Sequence, residues 1–545
     1  MLAAIAGFVA YGPALSGPFL FDDLSLAFAA PDAASWPFRA WVSGMRPVLM
    51  FSYWLNFQFA GARPYSYHVV NVLLHVANSL LVYLLLARLL ARAGEQGWRL
   101  QTAAVFAAGL FLLHPLQTES VAYAASRSES LAAFLSLAAM TVFMANGREP
   151  VTFRRAVAVL ALYGAAVLSK EQAAVLPAWL LLTDYFWNPG LSWEGIRRNW
   201  RLYVLFPAIL LPALAMVGRV LAAADTAGFR VHGLTWLDYF WTECRAIWVY
   251  VRLYALPYGQ NVDPEFRISR GPLDHGALIG LLALAAAVAG AWWLRRRVPL
   301  AAYGVLVFLL LVAPTSSFIP IADPIAERRV YLPSIGLLLV ITEFLRRWRW
   351  RISRLAGILA AVLIIDGALT WRRSQVWASA TALWEDTVGK SPGKMRPHFQ
   401  LAYSYYELGR CDDACRFYEK AASLEKPDYR LLVDWALALD CSRRPADALA
   451  KLTQAAEMEA TGHVYSQIGM MYAKQGRHRE ALEALARAEK LDPQFMVTYV
   501  YRGNVYFNTG EYSRAAAEYR RAIRIDPSYS PAVDGLRKAE AELRR

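Results

Sequence analysis

The sequence predicts an all-α protein in two parts: a polytopic membrane helical bundle, then a soluble helical-repeat solenoid. Three observations predict this. Of 545 residues, 57% are hydrophobic, above the roughly half found in soluble proteins. The excess lies in long runs before about residue 372, separated by short Arg clusters. Beyond that point the chain repeats itself every 33 or 34 residues.

The apolar runs cover roughly 1–15, 66–91, 101–117, 128–146, 155–169, 172–187, 202–223, 275–294, 299–313, 330–345 and 355–371, about eleven in all. Some fall short of the ~20 residues of a typical span. Met1 opens directly in an apolar run, with no basic leader and no small-residue cleavage site. The first run is therefore expected to be a short or truncated first span rather than a signal peptide.

The net charge of +14 resides mainly in the connections Arg92 to Arg99, Arg148 to Arg155, Arg197 to Arg201, Arg295 to Arg297, and Arg346 to Arg354. Placing all five in the cytoplasm satisfies the positive-inside rule. The charge is then a topology signal, and no block of Lys and aromatic residues resembles a nucleic-acid groove. The first long loop (16–65) and the tail then face outward. This arrangement requires that 236–257 does not cross. Asp238, Thr242, Arg245 and Arg252 share one helical face there, opposite Trp and Tyr residues, as in a helix lying in the outer interface.

In the tail, Cys415, Ala448, Ala481 and Ala515 are spaced 33, 33 and 34 residues, with Gly409, Ser442, Gly476 and Gly510 in the same register. Pro427, Pro493 and Pro527 close three of the units. A small residue at the helix crossing, a turn residue and a closing Pro match the tetratricopeptide (TPR) repeat. Four units are expected over about 395–530, with a concave face suited to an extended peptide or partner protein. The domain boundaries read as 1–372 for the membrane domain, 373–394 for a linker and 395–545 for the TPR domain. Among the four cysteines, Cys411 and Cys415 share a helix face. A disulfide outside the cytosol and a buried free pair are both compatible with that spacing, and no zinc spacing occurs.

Ionisable residues of the apolar half, apart from the basic loops, gather at the outer ends of helices, where charge is costly unless it serves a purpose. Asp22 and Asp23 follow the first span, and adjacent carboxylates suit a general base, or a metal ligand beside a base. A helix N-cap is the structural alternative. His68, Asn71, His75 and Asn78 form one stripe that must face the bundle interior. Packing between helices is the commoner role of such a stripe, and His68, nearest the outer surface, is the one assigned to the site. His114-Pro115 breaks the third run, and Glu119 beyond it is placed to bind a sugar hydroxyl, an acceptor or a metal, or to cap a helix. Lys170 and Glu171 sit between two apolar runs, where an ammonium suits an anionic phosphate and snorkelling is the alternative. The same argument covers Arg245 and Arg252, and Arg328 beside Glu327.

Together these pieces resemble the transmembrane-and-TPR (TMTC-type) O-mannosyltransferases and their bacterial relatives, within the GT-C class. The matching residues are Phe21-Asp22-Asp23, Arg46-Pro47, Tyr67-His68 through Asn71 to His75, His114-Pro115 through Thr118-Glu119, Ser169-Lys170-Glu171, and Ala326-Glu327-Arg328 through Tyr331-Leu332-Pro333-Ser334. The resemblance implies about eleven spans, a cytoplasmic N-terminus and a TPR domain on the far side. It implies an inverting transfer of a sugar, typically mannose, from a polyprenyl- or dolichyl-phosphate donor to a hydroxyl acceptor. Carried over by position, Asp22 or Asp23 is the base, Glu119 helps place donor or acceptor, and Arg46, Lys170 and Arg328 hold the phosphate. Metal use differs within the family, so a divalent metal stays open. The short first span implies an upstream start. Four TPR units and an Ala/Arg-rich composition point to a bacterial inner-membrane protein with a periplasmic TPR domain, or a luminal one in an endoplasmic-reticulum membrane.

Three rivals remain at this point. An O-antigen-ligase-like transferase relies on a large late outer loop, whereas 314–330 is short here. A membrane-anchored TPR scaffold for envelope assembly would not gather charges at the ends of separate spans. Transporters often carry an internal repeat between membrane halves, and none is visible.

Overall fold

The computed structural model describes residues 1–146, 149–223, 227–348 and 352–545. Arg148 of one basic connection, and Arg349 and Arg351 of another, lie outside the described residues. The chain divides into two compact units, Met1–Lys390 and Ser391–Arg545. Helices dominate both, and the one β-bridge among the described residues pairs Ala227 with Ile321.

Each expected apolar run falls on helix in the first unit. Among the described residues, four helices are long and apolar enough to cross a membrane: Pro64–Arg92, Trp200–Arg219, Asp274–Leu294 and Arg354–Val376. A fifth crossing forms if Gly97–Leu113 and Pro115–Ala122, bent by 47°, count as one span. The expected eleven is not reached by length and composition because the remaining runs make short helices. Pro299–Val312 has 14 residues, and at about 1.5 Å per residue such a helix falls short of a ~30 Å hydrocarbon core. The bend in the pair comes from Pro115, which lacks an amide hydrogen and cannot extend the preceding helix.

A large apolar core joins residues from nearly every helix of the first unit. Close approach needs small residues, as where Pro299–Val312 meets Ser334–Arg347. A Cβ on Gly336 would lie 2.4 Å from the Gly304 carbonyl oxygen, so both positions exclude a side chain. The loop 16–65 is ordered by 3-10 turns and the Pro47–Ala60 helix. A second core of Phe28, Trp41, Leu49, Tyr53, Tyr67 and Ala124 anchors it. Residues 373–394 contain the Ala380–Lys390 helix, which belongs to the first unit.

The Trp236–Ala255 helix differs from expectation. Asp238 and Thr242 do not form a solvent-facing polar face. Both are buried, as are Tyr239, Glu243, Tyr250 and Tyr254, whereas Trp236 and Leu237 are exposed. Asp238 closes a capping box with Thr235 and meets Arg270, and Thr242 accepts from the Ser269 amide. The polar residues therefore hold the following segment against the helix.

The second unit contains four helix pairs, Met395–Glu407 with Cys411–Leu424, Tyr429–Cys441 with Pro445–Met458, Gly462–Lys474 with His478–Leu491, and Met496–Asn508 with Tyr512–Ile525, followed by Ser530–Leu543. Two register residues are corrected. Each second helix places its buried small residue three positions after its start, at Ala414, Ala448, Ala481 and Ala515, so Ala414 rather than Cys415 belongs to the set. The turn residue is left-handed in every unit, at Gly409 (φ +71°), Arg443 (φ +59°), Gly476 (φ +73°) and Gly510 (φ +82°), so Arg443 rather than Ser442 holds that place. Cys411 pairs with Cys441 of the next helix pair (Cα–Cα 5.7 Å), leaving Cys415 and Cys244 as buried free thiols.

Candidate functional site

The aspartate pair divides by burial. Phe21 adopts φ +49° at the start of a 3-10 turn over Phe21–Ser25. This turns Asp23 inward and leaves Asp22 exposed. Asp23 is 1% exposed and accepts from the amides of Leu20 (3.0 Å) and Ala125 (2.6 Å). Burial pushes its carboxyl up to about 7, against the pull of those two amides, with the Asp22 charge adding to the rise. Asp22 is fixed through its backbone, whose amide donates to the Tyr123 hydroxyl at 2.9 Å. Its carboxylate has no recorded partner among the described residues.

Tyr123 links this turn to the next group. It lies within electrostatic reach of Asp22, Asp23 and Arg328. Glu119 is buried and accepts from the Arg328 amide at 3.1 Å and from its guanidinium. Arg328 also feels Glu129, and Glu129 pairs with Lys170. Arg46 grips Glu171 side-on, with Nε to Oε2 at 3.0 Å and Nη2 to Oε1 at 2.6 Å. Arg46 also feels Glu129, and Lys170 feels both Arg46 and Glu171. The structure thus brings Asp22, Asp23, Arg46, Glu119, Lys170, Glu171 and Arg328 into one neighbourhood, with Glu129 within electrostatic reach of all three cations. Each of the three cations has a carboxylate partner. Arg46 and Arg328 keep 35% and 32% of their side chains exposed, whereas Lys170 is buried.

Glu327 borders the group. Its oxygens accept from the Asn261 amide (2.6 Å) and the Gln260 side chain (3.2 Å), and it lies within reach of Glu119. His68 is buried with Nε2 at 3.1 Å from the Gly17 carbonyl. His114 has both nitrogens engaged, one 2.9 Å from the Tyr254 carbonyl and one accepting from the Leu116 amide, and its ring stacks on Tyr254. These contacts hold chain turns together. Arg245 stands apart from the acidic network: it bonds the Arg267 carbonyl and Ser269 and covers the Phe266 ring.

Two elements of the site were not assigned from the sequence. Glu129 was visible only as one polar residue near a helix start. Arg127 is fully buried, bonds Asn71 (2.8 Å) and Asn56 (2.9 Å), and lies over the Tyr53 and Tyr67 rings. It pins the loop 16–65 to the Pro64–Arg92 helix, and no motif marks that role. Among the described residues no group of three or more His, Cys, Asp or Glu side chains could hold a metal ion.

Comparison with known proteins places this geometry. Tetratricopeptide-repeat family models match residues 398–424 and 467–530. Protein O-mannosyl-transferase F38B6.6 of Caenorhabditis elegans is 25% identical over 392 residues, covering 70% of this chain and 54% of the relative. Protein O-mannosyl-transferase Tmtc3 of Drosophila melanogaster is 23% identical over 552 residues, covering 84% and 58%. This chain is similar to TMTC proteins over most of its length. Human Protein O-mannosyl-transferase TMTC4 gives the same result, 23% identical over 482 residues and covering 75% and 64%. Each of these three matches is longer than the repeat unit and so extends into the membrane unit, while the chain spans between about half and two thirds of the length of these relatives.

Proposed function

We propose that this protein is an integral-membrane glycosyltransferase that moves a sugar, mannose by analogy with its relatives, from a polyprenyl-phosphate donor to a hydroxyl of an acceptor protein on the non-cytoplasmic side. The observation that carries this reading is the exposed, backbone-fixed Asp22 carboxylate in one neighbourhood with buried and part-buried carboxylate–cation pairs. Asp22 takes the proton of the acceptor hydroxyl. The acceptor oxygen attacks the anomeric carbon, the carbon–oxygen bond to phosphate breaks, and polyprenyl phosphate leaves as an anion. One displacement inverts the anomeric centre. Asp23, held by two amides, is a positioning residue that sets the turn carrying Asp22. Glu119 fixes Arg328 through both its amide and its guanidinium.

The TPR unit presents the acceptor chain in this account. The Cys411–Cys441 disulfide supports its placement in the periplasm or a lumen, since such bonds persist in oxidising compartments.

The test is direct. The full chain in lipid nanodiscs is mixed with polyprenyl-phosphate mannose and Ser/Thr-containing acceptor peptides, and released polyprenyl phosphate and hexose-bearing peptide are measured by mass spectrometry. Both products should rise together. Neither product with any polyprenyl-phosphate sugar overturns the reading.

A further inference from the structure

Resemblance assigns the donor phosphate to Arg46, Lys170 and Arg328, yet each of those cations is already matched by a carboxylate. Arg373, near the end of the Ile352–Val376 helix, is different. It is 6% exposed, and its Nη1 donates to Asp386 at 2.8 Å. Its Nε and Nη2 are buried without any acceptor. A buried donor left unmatched loses its bonds to water with nothing in return, and a charged one loses more, so an empty guanidinium edge is an unusual feature.

Arg46 shows what that edge accommodates. There the same two atoms, Nε and Nη2, hold two oxygens of one carboxylate at 3.0 and 2.6 Å. A phosphate presents two oxygens at a similar spacing, which is why a guanidinium fork suits it. We propose that the empty Nε–Nη2 edge of Arg373 seats a phosphate oxyanion, gripping two of its oxygens side-on.

The surroundings agree in charge. Asp386 is shared by Arg373 and by Lys390, whose Nζ lies 2.7 Å away, so two cations face one carboxylate. Glu327 is a second acid within reach of Arg373, and both its oxygens already accept hydrogen bonds. The surroundings also agree in place. Trp377, in the turn just past the end of that helix, buries an indole N–H that also lacks an acceptor. Its ring stacks on Tyr123 with centroids 6.0 Å apart, and the Tyr123 hydroxyl holds the Asp22 amide. The Trp377 indole therefore lies one aromatic ring from the proposed base, four residues along the chain from Arg373. This inference rests on the reading that the donor is a lipid phosphate, and it names the group that receives that phosphate.

The test uses the full chain in nanodiscs, titrated calorimetrically with undecaprenyl phosphate and, separately, with inorganic phosphate. Wild type, Arg373→Ala, Arg373→Lys and Asp386→Asn are compared, with melting curves taken without ligand. Arg373→Ala should weaken binding about 10- to 100-fold through loss of two charge-assisted bonds. Arg373→Lys should lose nearly as much, because an ammonium has no planar fork. Asp386→Asn breaks the same ion pair but leaves the edge, and should bind as tightly as wild type or tighter. Undecaprenyl phosphate binding that is unchanged in both Arg373 variants overturns the inference and leaves the transferase reading standing. Equal losses in Asp386→Asn and Arg373→Ala also overturn it, because Arg373 then acts only by holding the fold. Arg373-dependent binding of inorganic phosphate without lipid phosphate binding supports the seat and removes the donor assignment. No binding of either probe by wild type overturns both.

Discussion

The two units of the molecule use ion pairs in opposite ways. In the repeat unit most pairs join neighbours on one helix turn, such as Arg410 with Asp413, Arg444 with Asp447, Arg477 with Glu480 and Arg537 with Asp534. Pairs of this local, solvent-exposed kind contribute about 0–1 kcal/mol each. In the membrane unit Arg46 meets Glu171 across 125 residues and Arg328 meets Glu119 across 209. Both are part-buried and tie separate helix ends together. The contrast teaches where information lies. Local pairs decorate a fold that periodic packing already determines, whereas long-range pairs define a place where distant segments must meet. Some pairs in the repeat unit cross this line: Arg502 is buried and bridges Glu489 and Glu518, Arg521 also reaches Glu489, Lys474 meets Asp440 and Arg520 meets Glu540.

The largest effect that could break this comparison is at Arg127. If buried polar groups fix the membrane unit, Arg127→Ala leaves the Asn56 and Asn71 oxygens unmatched and should destabilise that unit by about 3 kcal/mol or more. Fluorescence-detected size exclusion after a heat challenge would show it, and a wild-type profile would mean these contacts are incidental. In the repeat unit, Cys411→Ser should cost about 3 kcal/mol, given the separation of 30 residues closed by the disulfide. Hydrogen exchange over 395–458 in the full chain should accelerate. Thiol labelling under denaturing conditions should find Cys244 and Cys415 reactive but not Cys411 and Cys441.

Smaller effects sharpen the picture. Burial, helped by the Asp428 charge, raises the Asp434 carboxyl to about 6. Its folded value lies above the unfolded one, so the folded state binds the extra proton between roughly pH 4 and 6. Repeat-unit stability should therefore fall as pH rises through that window. Asp434→Asn should flatten the profile and gain about 1 kcal/mol at neutral pH, read by hydrogen exchange at two pH values. A profile unchanged by the substitution would place the titration elsewhere. Smallest is Arg443→Gly. Arg443 adopts φ +59° where the other three units carry glycine, so the exchange should stabilise the repeat by about 0.5–1 kcal/mol.

The sequence conveyed the helices and the repeats well because both follow from periodic burial, and periodicity survives in one dimension. Its errors there were single-residue slips, Cys415 for Ala414 and Ser442 for Arg443, made because residue identity was followed where helix starts decide the register. The length of membrane helices was less legible, since apolar composition does not reveal where a proline or a packing turn cuts a run. For the site, adjacency marked Asp22 and Asp23 as a pair, and the ends of apolar runs marked Arg46, Glu119, Lys170 and Arg328. Which aspartate faces outward depends on the left-handed Phe21, and which acid meets which base depends on tertiary contacts more than a hundred residues apart. Neither leaves a local signal. Arg127 and Arg373 received no role from the sequence for the same reason: their partners come from other segments.

The most direct measurement is sugar transfer by Asp22→Asn and Asp23→Asn in nanodiscs, with melting curves for both. The account predicts that Asp22→Asn melts like wild type but transfers about 10²- to 10⁴-fold more slowly, the usual size of a general-base contribution, while Asp23→Asn lowers the melting temperature. A folded Asp22→Asn variant that transfers at the wild-type rate would contradict it.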